Sequence, residues 1–138
     1  MAVRVKLKVN SGITEKTLTA LVNTGFESET PDLLLPVTIA EELGIWPPTS
    51  SIMLDEYSTV SGSISLATLP KAVKVQAVSG DKASREVTCN VVVSPQESEV
   101  LISDMLAEEL GIVILKAGRG YWRFIDDPQN VVRISEPP

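Results

Sequence analysis

The chain has 138 residues, 43% of them hydrophobic and only 4% aromatic, with a formal net charge of −6. That suits one domain with an aliphatic core needing neither disulfide nor structural metal, and it argues against nucleic-acid or anionic-membrane binding, because no basic stripe could neutralise phosphates. Histidine is absent and Cys89 is the single cysteine, which excludes Ser-His and Cys-His nucleophiles, His-based zinc sites and an intrachain disulfide.

Residues 2–10 alternate, with Val3, Val5, Leu7 and Val9 on one side and Arg4, Lys6 and Lys8 on the other. A period of two predicts a half-buried strand, and it is neither a signal-peptide block nor a membrane span, so a cytoplasmic location is expected. Asn10-Ser11-Gly12 is a turn signal. A second strand, about 15–22, ends in Asn23-Thr24-Gly25 and opens into a polar loop. Residues 36–43 predict a short helix, with Pro36 at the first helical position and Gly44 ending it. The stretch 51–69 reads as a hairpin with a polar tip at Ser58–Gly62. Residues 71–78 and 85–93 form a further two-strand pattern about Ser79–Lys82; Cys89 lies in it as a buried, inert thiol. A short apolar run at 99–102 precedes a second helix, about 104–110, closed by Gly111. A last hairpin spans 111–125, before a final run at 130–134.

The segment LLPVTIAEELGI (34–45) matches LISDMLAEELGI (101–112) in register, with AEELGI identical. Two helices, each after an apolar strand, then present the same apolar pair: Ile39 and Leu43, Leu106 and Leu110. A pseudo-two-fold domain is expected. No phosphate-cradling glycine motif occurs, so any chemistry must come from carboxylates, hydroxyls, lysines or backbone.

The combination ALVNTGFES, LLLP, AEELGI, a polar hairpin and then EVLISDMLAEELGI resembles the retropepsin-like (retroviral-type) aspartic proteases, especially their small prokaryotic and archaeal members. The resemblance spans about residues 3–125. It implies an all-β fold with two short helices, a closed acid-protease barrel that works as a homodimer. One domain would cover 1–138: a first half-repeat at about 3–48 with the catalytic loop at 23–25, a flap at about 52–68, a second half-repeat at about 71–125 and a tail at 126–138. Each subunit would contribute one Asp-Thr-Gly loop and one flap. The family's apolar-apolar-glycine turn is here Leu101-Ile102-Ser103, with serine for glycine. Terminal strands form the family's usual dimer seam, which would place residues 130–138 there.

The implied reaction is hydrolysis of peptide bonds by a water activated between two carboxylates. Like charges about 3 Å apart cannot both ionise, so the pair shares one proton and splits the acid and base roles. Thr24 would brace the loop across the axis, and Gly25 would let the two backbones approach. Phe26, Ser28, Tyr57, Ser58, Thr59, Val60, Ser61 and Gly62 would contact an extended peptide or unfolded-protein substrate. No cofactor or metal is needed. The motif departs from the family at its first residue: Asn23 stands where the catalytic aspartate belongs. An amide keeps the shape but cannot act as base, and losing a positioned base typically costs about 10²–10⁴-fold. The chain is therefore expected to be an inactive form of an aspartic endopeptidase, an aspartate-to-asparagine variant. The alternative is a natural, non-catalytic dimeric peptide-binding pseudoprotease.

Other acids read as structural. Asp104 or its neighbour Ser103 would cap a helix. Asp32 reads as a solvated loop acid that could also line the cleft, and Asp55 and Glu56 as an exposed hairpin arm or as acids selecting a basic substrate side chain. Phe26 could equally line a subsite or pack beneath the loop, and Tyr121 and Trp122 read as core or dimer packing. The acids Glu41, Glu42, Glu97, Glu99, Glu108 and Glu109 read as solvated faces.

Overall fold

A computed structural model describes residues 2–48, 53–59 and 62–138, with the backbone alone described over 53–59 and 62–65. In chain order the elements are β1 (Arg4–Asn10), β2 (Glu15–Val22), β3 (Asp32–Pro36), α1 (Val37–Glu42), β4 (Met53–Thr59), β5 (Gly62–Ser79), β6 (Lys82–Ala83), β7 (Val87–Ser94), β8 (Val100–Ile102), α2 (Asp104–Glu109), β9 (Ile112–Lys116), β10 (Tyr121–Phe124) and β11 (Arg133–Ile134). Six strands close a barrel in the order β1-β2-β8-β3-β7-β5, with β5 pairing back to β1. β4 and β6 pair with β5 outside that ring, and β9, β10 and β11 form a separate three-stranded sheet.

Alternation in sequence becomes alternation in space. Val3, Val5, Leu7 and Val9 are buried in the barrel core, while Lys6 and Lys8 are exposed. The same period sorts three neighbouring strands between two clusters. Leu33 and Leu35, Val91 and Val93, and Val100 and Ile102 join the barrel core. The residues between them, Leu34, Val92 and Leu101, form a second cluster on the opposite face with Phe26 and Leu66, and Leu21 packs on it. Side chains one residue apart on a strand must point to opposite faces.

The strand pairing has a local two-fold symmetry. β3 and β8 are antiparallel, with Leu34 opposite Leu101. β2 runs parallel to β8, and β7 runs parallel to β3. Val22 lies beside Ile102, and Val93 beside Leu35. Leu35 and Ile102 occupy the same place in the repeat, so the next residues along, Asn23 and Ser94, correspond.

Both helices end alike. Leu43 and Leu110 share φ −78 and ψ −6, and Gly44 and Gly111 follow with φ of +77 and +74, donating to Glu41 and Glu108 carbonyls. Their starts differ. Pro36 ends β3 as the residue before α1, one position earlier than expected, and supplies no side-chain cap, whereas Ser103 accepts from the Leu106 N–H. Residues 62–79 form one strand, not the two expected, with a register shift between Leu69 and Val73. Pro70 punctuates the sequence there, but the irregularity and the left-handed Lys71 (φ 48) carry the chain across without ending the strand.

The segment at 130–134 pairs within its own chain: Arg133 and Ile134 lie against Trp122 and Tyr121, and the Glu136 N–H donates to the Arg4 carbonyl. Trp122 and Phe124 are buried edge-to-face at 5.0 Å. Among the described residues no helix is long and apolar enough to cross a membrane.

Candidate functional site

The Asn23 loop is anchored where it leaves the barrel. The Val22 N–H donates to the Val3 carbonyl and the Asn23 N–H to the Ile102 carbonyl, so β2 stays paired to its last residue. The chain then turns tightly. Asn23 Oδ1 accepts from the Gly25 N–H at 3.1 Å, and the Asn23 carbonyl accepts from the Phe26 N–H at 2.9 Å. A side-chain oxygen two residues ahead of a backbone N–H closes an Asx turn. A carboxylate could accept the same bond, so the geometry does not require an amide.

Asn23 is half-buried, Thr24 and Gly25 are exposed, and Phe26 is buried. Of the two positions open to Phe26, the ring takes the one beneath the loop, packed with Leu34, Leu66, Val92 and Leu101. Since Leu66 lies on β5, this cluster ties the loop to the base of the β4–β5 hairpin. That hairpin pairs from Met53 with Thr68 through Tyr57 with Ile64 and Ser58 with Ser63 to Thr59 with Gly62. Val60 and Ser61 lie outside the described residues, as do the side chains of Asp55, Glu56, Tyr57, Ser58 and Thr59.

Beside Thr24 lies an open, mainly apolar depression of about 480 Å³, lined by Val22, Ala107, Ile112, Val113 and Ile125 among others. Ile125 is 69% exposed there. A further depression of about 420 Å³, between Lys82–Arg85 and Glu108–Gly111, includes no residue of the Asn23 loop.

The outgoing half of the loop is held by polar contacts. The Asp104 N–H donates to the Phe26 carbonyl, and Asp104 Oδ1 accepts from the Ser28 N–H. Capping of α2 falls to Ser103, which is fully buried. Ser103 Oγ also accepts from the Asp32 N–H, and the Ser103 N–H donates to the Asp32 carbonyl. Glycine could supply neither side-chain bond.

Asp32 corrects the sequence reading. It is not a solvated acid: it is 4% exposed, and its carboxylate accepts from Ser28 Oγ at 2.7 Å, Thr30 Oγ1 at 2.8 Å and Asn90 Nδ2 at 3.1 Å. Sequence reasoning missed this site because Asn90 lies on β7, far along the chain. The local signal was Ser28, Thr30 and Asp32 at alternate positions about Pro31. Cys89, next to Asn90, has its thiol pushed up to about 12, first by burial and then by the Asp32 charge. It is inert toward nucleophilic chemistry near neutral pH.

Several surface acids are paired: Glu42 with Lys16, Glu99 with Arg4, and Glu109 with Arg85. Among the described residues no group of three His, Cys, Asp or Glu side chains could hold a metal ion. A scan against protein-family models and a search of curated proteins find no match to this chain.

Proposed function

We propose that this chain is a retropepsin-like aspartic endopeptidase scaffold in which Asn23 stands in the place of the catalytic aspartate, so that the chain as written binds an extended peptide but does not cleave it. The observation that carries the reading is the turn at the end of β2. It points a short polar side chain back onto the Gly25 N–H, where a carboxylate would be accepted equally well. A carboxylate there needs a second one to share its proton. The same chain offers none by symmetry: the corresponding residue is Ser94, whose Oγ accepts from the Gln96 and Glu97 N–H groups. Asp32 and Asp104 are committed to holding the loop. The second group would come from a second copy, through the exposed Thr24 and Gly25.

The β4–β5 hairpin would be the flap, and the peptide would bind beneath it as an added strand through backbone hydrogen bonds. With residues 133–136 already paired inside the chain, the homodimer seam would draw on the apolar surface beside Thr24 rather than on a free terminal strand.

The test is Asn23→Asp. Its expected result is cleavage of an unfolded protein at acidic pH, blocked by pepstatin, with a dimeric solution mass. An Asn23→Asp protein that is folded, dimeric and inert on a broad peptide mixture would defeat the endopeptidase reading. The second reading, a natural non-catalytic peptide-binding dimer, is favoured by Asn23 itself. It would be upheld if that inert protein still bound extended peptides.

A further inference from the structure

We infer that Asp32 is a positioning residue for the Asn23–Gly25 loop: its buried carboxylate, held by Ser28, Thr30 and Asn90, fixes the return of that loop to the barrel and couples it to the β4–β5 hairpin. The inference rests on reading that loop as the reacting one.

A carboxylate removed from water needs compensation. Among the described residues Asp32 makes no ion pair, so neutral donors supply it. Two of them, Ser28 Oγ and Thr30 Oγ1, belong to the loop itself. Ser28 Oγ also accepts from the Thr30 N–H at 3.3 Å, so residues 28–32 close on themselves. Apart from Phe26, the loop has little apolar packing, since Glu27, Glu29 and Thr30 are exposed. Its shape therefore depends on these polar bonds.

Asp32 works in two directions at once. Its backbone N–H and carbonyl both pair with Ser103, at the start of α2. The next residue, Asp104, accepts from the Ser28 N–H and donates to the Phe26 carbonyl. On the other side, Asn90 donates to Asp32 with its amide nitrogen and accepts from the Lys71 N–H with its oxygen at 2.9 Å. Lys71 is the left-handed residue where β5 passes from hairpin to barrel. The chain Ser28–Asp32–Asn90–Lys71 thus joins the loop to the base of the hairpin that would close over it. A solvated loop acid would do none of this.

The first arm uses the protein with Asn23 in place and does not depend on catalysis. In Asp32→Asn, native-state amide exchange at Gly25, Phe26, Ser28 and Asp104 should rise about tenfold or more, while the barrel amides of Val75, Val91 and Val93 stay within about twofold. Ser28→Ala, a milder change, should show a smaller rise at the same amides. The double variant Asp32→Asn/Asn90→Asp, which returns one carboxylate and one amide to the pair, should bring the loop back toward its original protection. Unchanged loop exchange, equal acceleration of loop and barrel in both single variants, or no recovery in the double variant would overturn the inference.

The second arm adds Asn23→Asp to each variant. Asp32→Asn should then lower kcat about tenfold or more with KM within about twofold, and the exchanged pair should restore it. An unaltered kcat would also overturn the inference. If Asn23→Asp alone proves inactive, the endopeptidase reading fails and the exchange arm still decides the role of Asp32.

Discussion

Leu34 and Leu101 lie directly opposite each other across the antiparallel pair at the middle of the barrel wall, and they are the same residue of the internal repeat. A local two-fold axis therefore passes between them. Each half sends a strand alongside the other half's partner: β2 follows β8, and β7 follows β3. Neither half closes the barrel without the other. The identical AEELGI segments end in the same way, each with a leucine followed by a left-handed glycine.

Both leucines belong to the smaller cluster beneath the Asn23 loop. Leu34→Ala and Leu101→Ala should each lower the free energy of unfolding by about 2–4 kcal/mol in urea titrations, as truncation of a buried leucine does. Because the residues face each other, the double variant should lose less than the sum of the two. Additive losses would show that the two do not share a cavity.

Much of this was legible in the residues. Period-two alternation marks β1 and β2, and the repeat predicts both helices and an apolar strand before each. What was not legible depends on contacts distant in sequence. Pro70 looks like a strand end, yet pairing with β7 on both sides carries β5 through it. Asp32, between Pro31 and three leucines, looks like a loop acid because Asn90 and Ser103 reach it only after the barrel closes. At the site, the Asn23-Thr24-Gly25 turn could be read from its residue types. The burial of Phe26 could not, since either side of the loop would accept an aromatic ring.

Ser103 joins the start of α2 to β3. Its hydroxyl accepts from the Leu106 N–H at 3.1 Å and the Asp32 N–H at 3.0 Å, in a fully buried position. Ser103→Ala removes a helix cap and leaves the buried Asp32 N–H without its acceptor. The expected loss is about 1–3 kcal/mol. Ser103→Gly should be no more stable than Ser103→Ala. A Ser103→Gly protein as stable as the parent would show that the two hydrogen bonds add nothing net.

The C-terminal tail is fixed by Asp127, 8% exposed, which accepts from Arg133 Nε and Nη2 at 2.9 Å each, from Lys82 Nζ and from the Phe124 N–H. The Arg133 hydrogen bonds, helped by the Phe124 N–H and Lys82 against the opposing effect of burial, hold the Asp127 carboxyl well below the usual carboxylate range. In the unfolded chain it titrates near an ordinary aspartate value of about 3.9. Between those values the unfolded state binds more protons. The stabilisation is therefore complete above the unfolded pKa and is lost as pH falls through the folded one. Asp127→Asn should lower the urea midpoint at pH 7, and the gap to the parent should narrow below about pH 4. A gap that is constant with pH would assign the loss to shape rather than charge.

Gly25 tests the turn most directly. A Cβ built there would lie 3.3 Å from Asn23 Oδ1, tighter than ordinary van der Waals contact, and Gly25 is not among the glycines with positive φ. The constraint is therefore on the neighbouring side chain and not on the backbone. Gly25→Ala should fold with a stability change within about 1 kcal/mol, as an exposed loop substitution does. It should nonetheless push the side chain at position 23 off the residue-25 N–H, raising amide exchange at that position. Combined with Asn23→Asp, it should cut kcat about tenfold or more, because a reacting group displaced by even part of an ångström loses alignment. If Gly25→Ala leaves both that exchange and the activity of the Asn23→Asp protein unchanged, the glycine does not shape the turn within a chain. Its place in the motif would then have to be explained by the approach of a second copy.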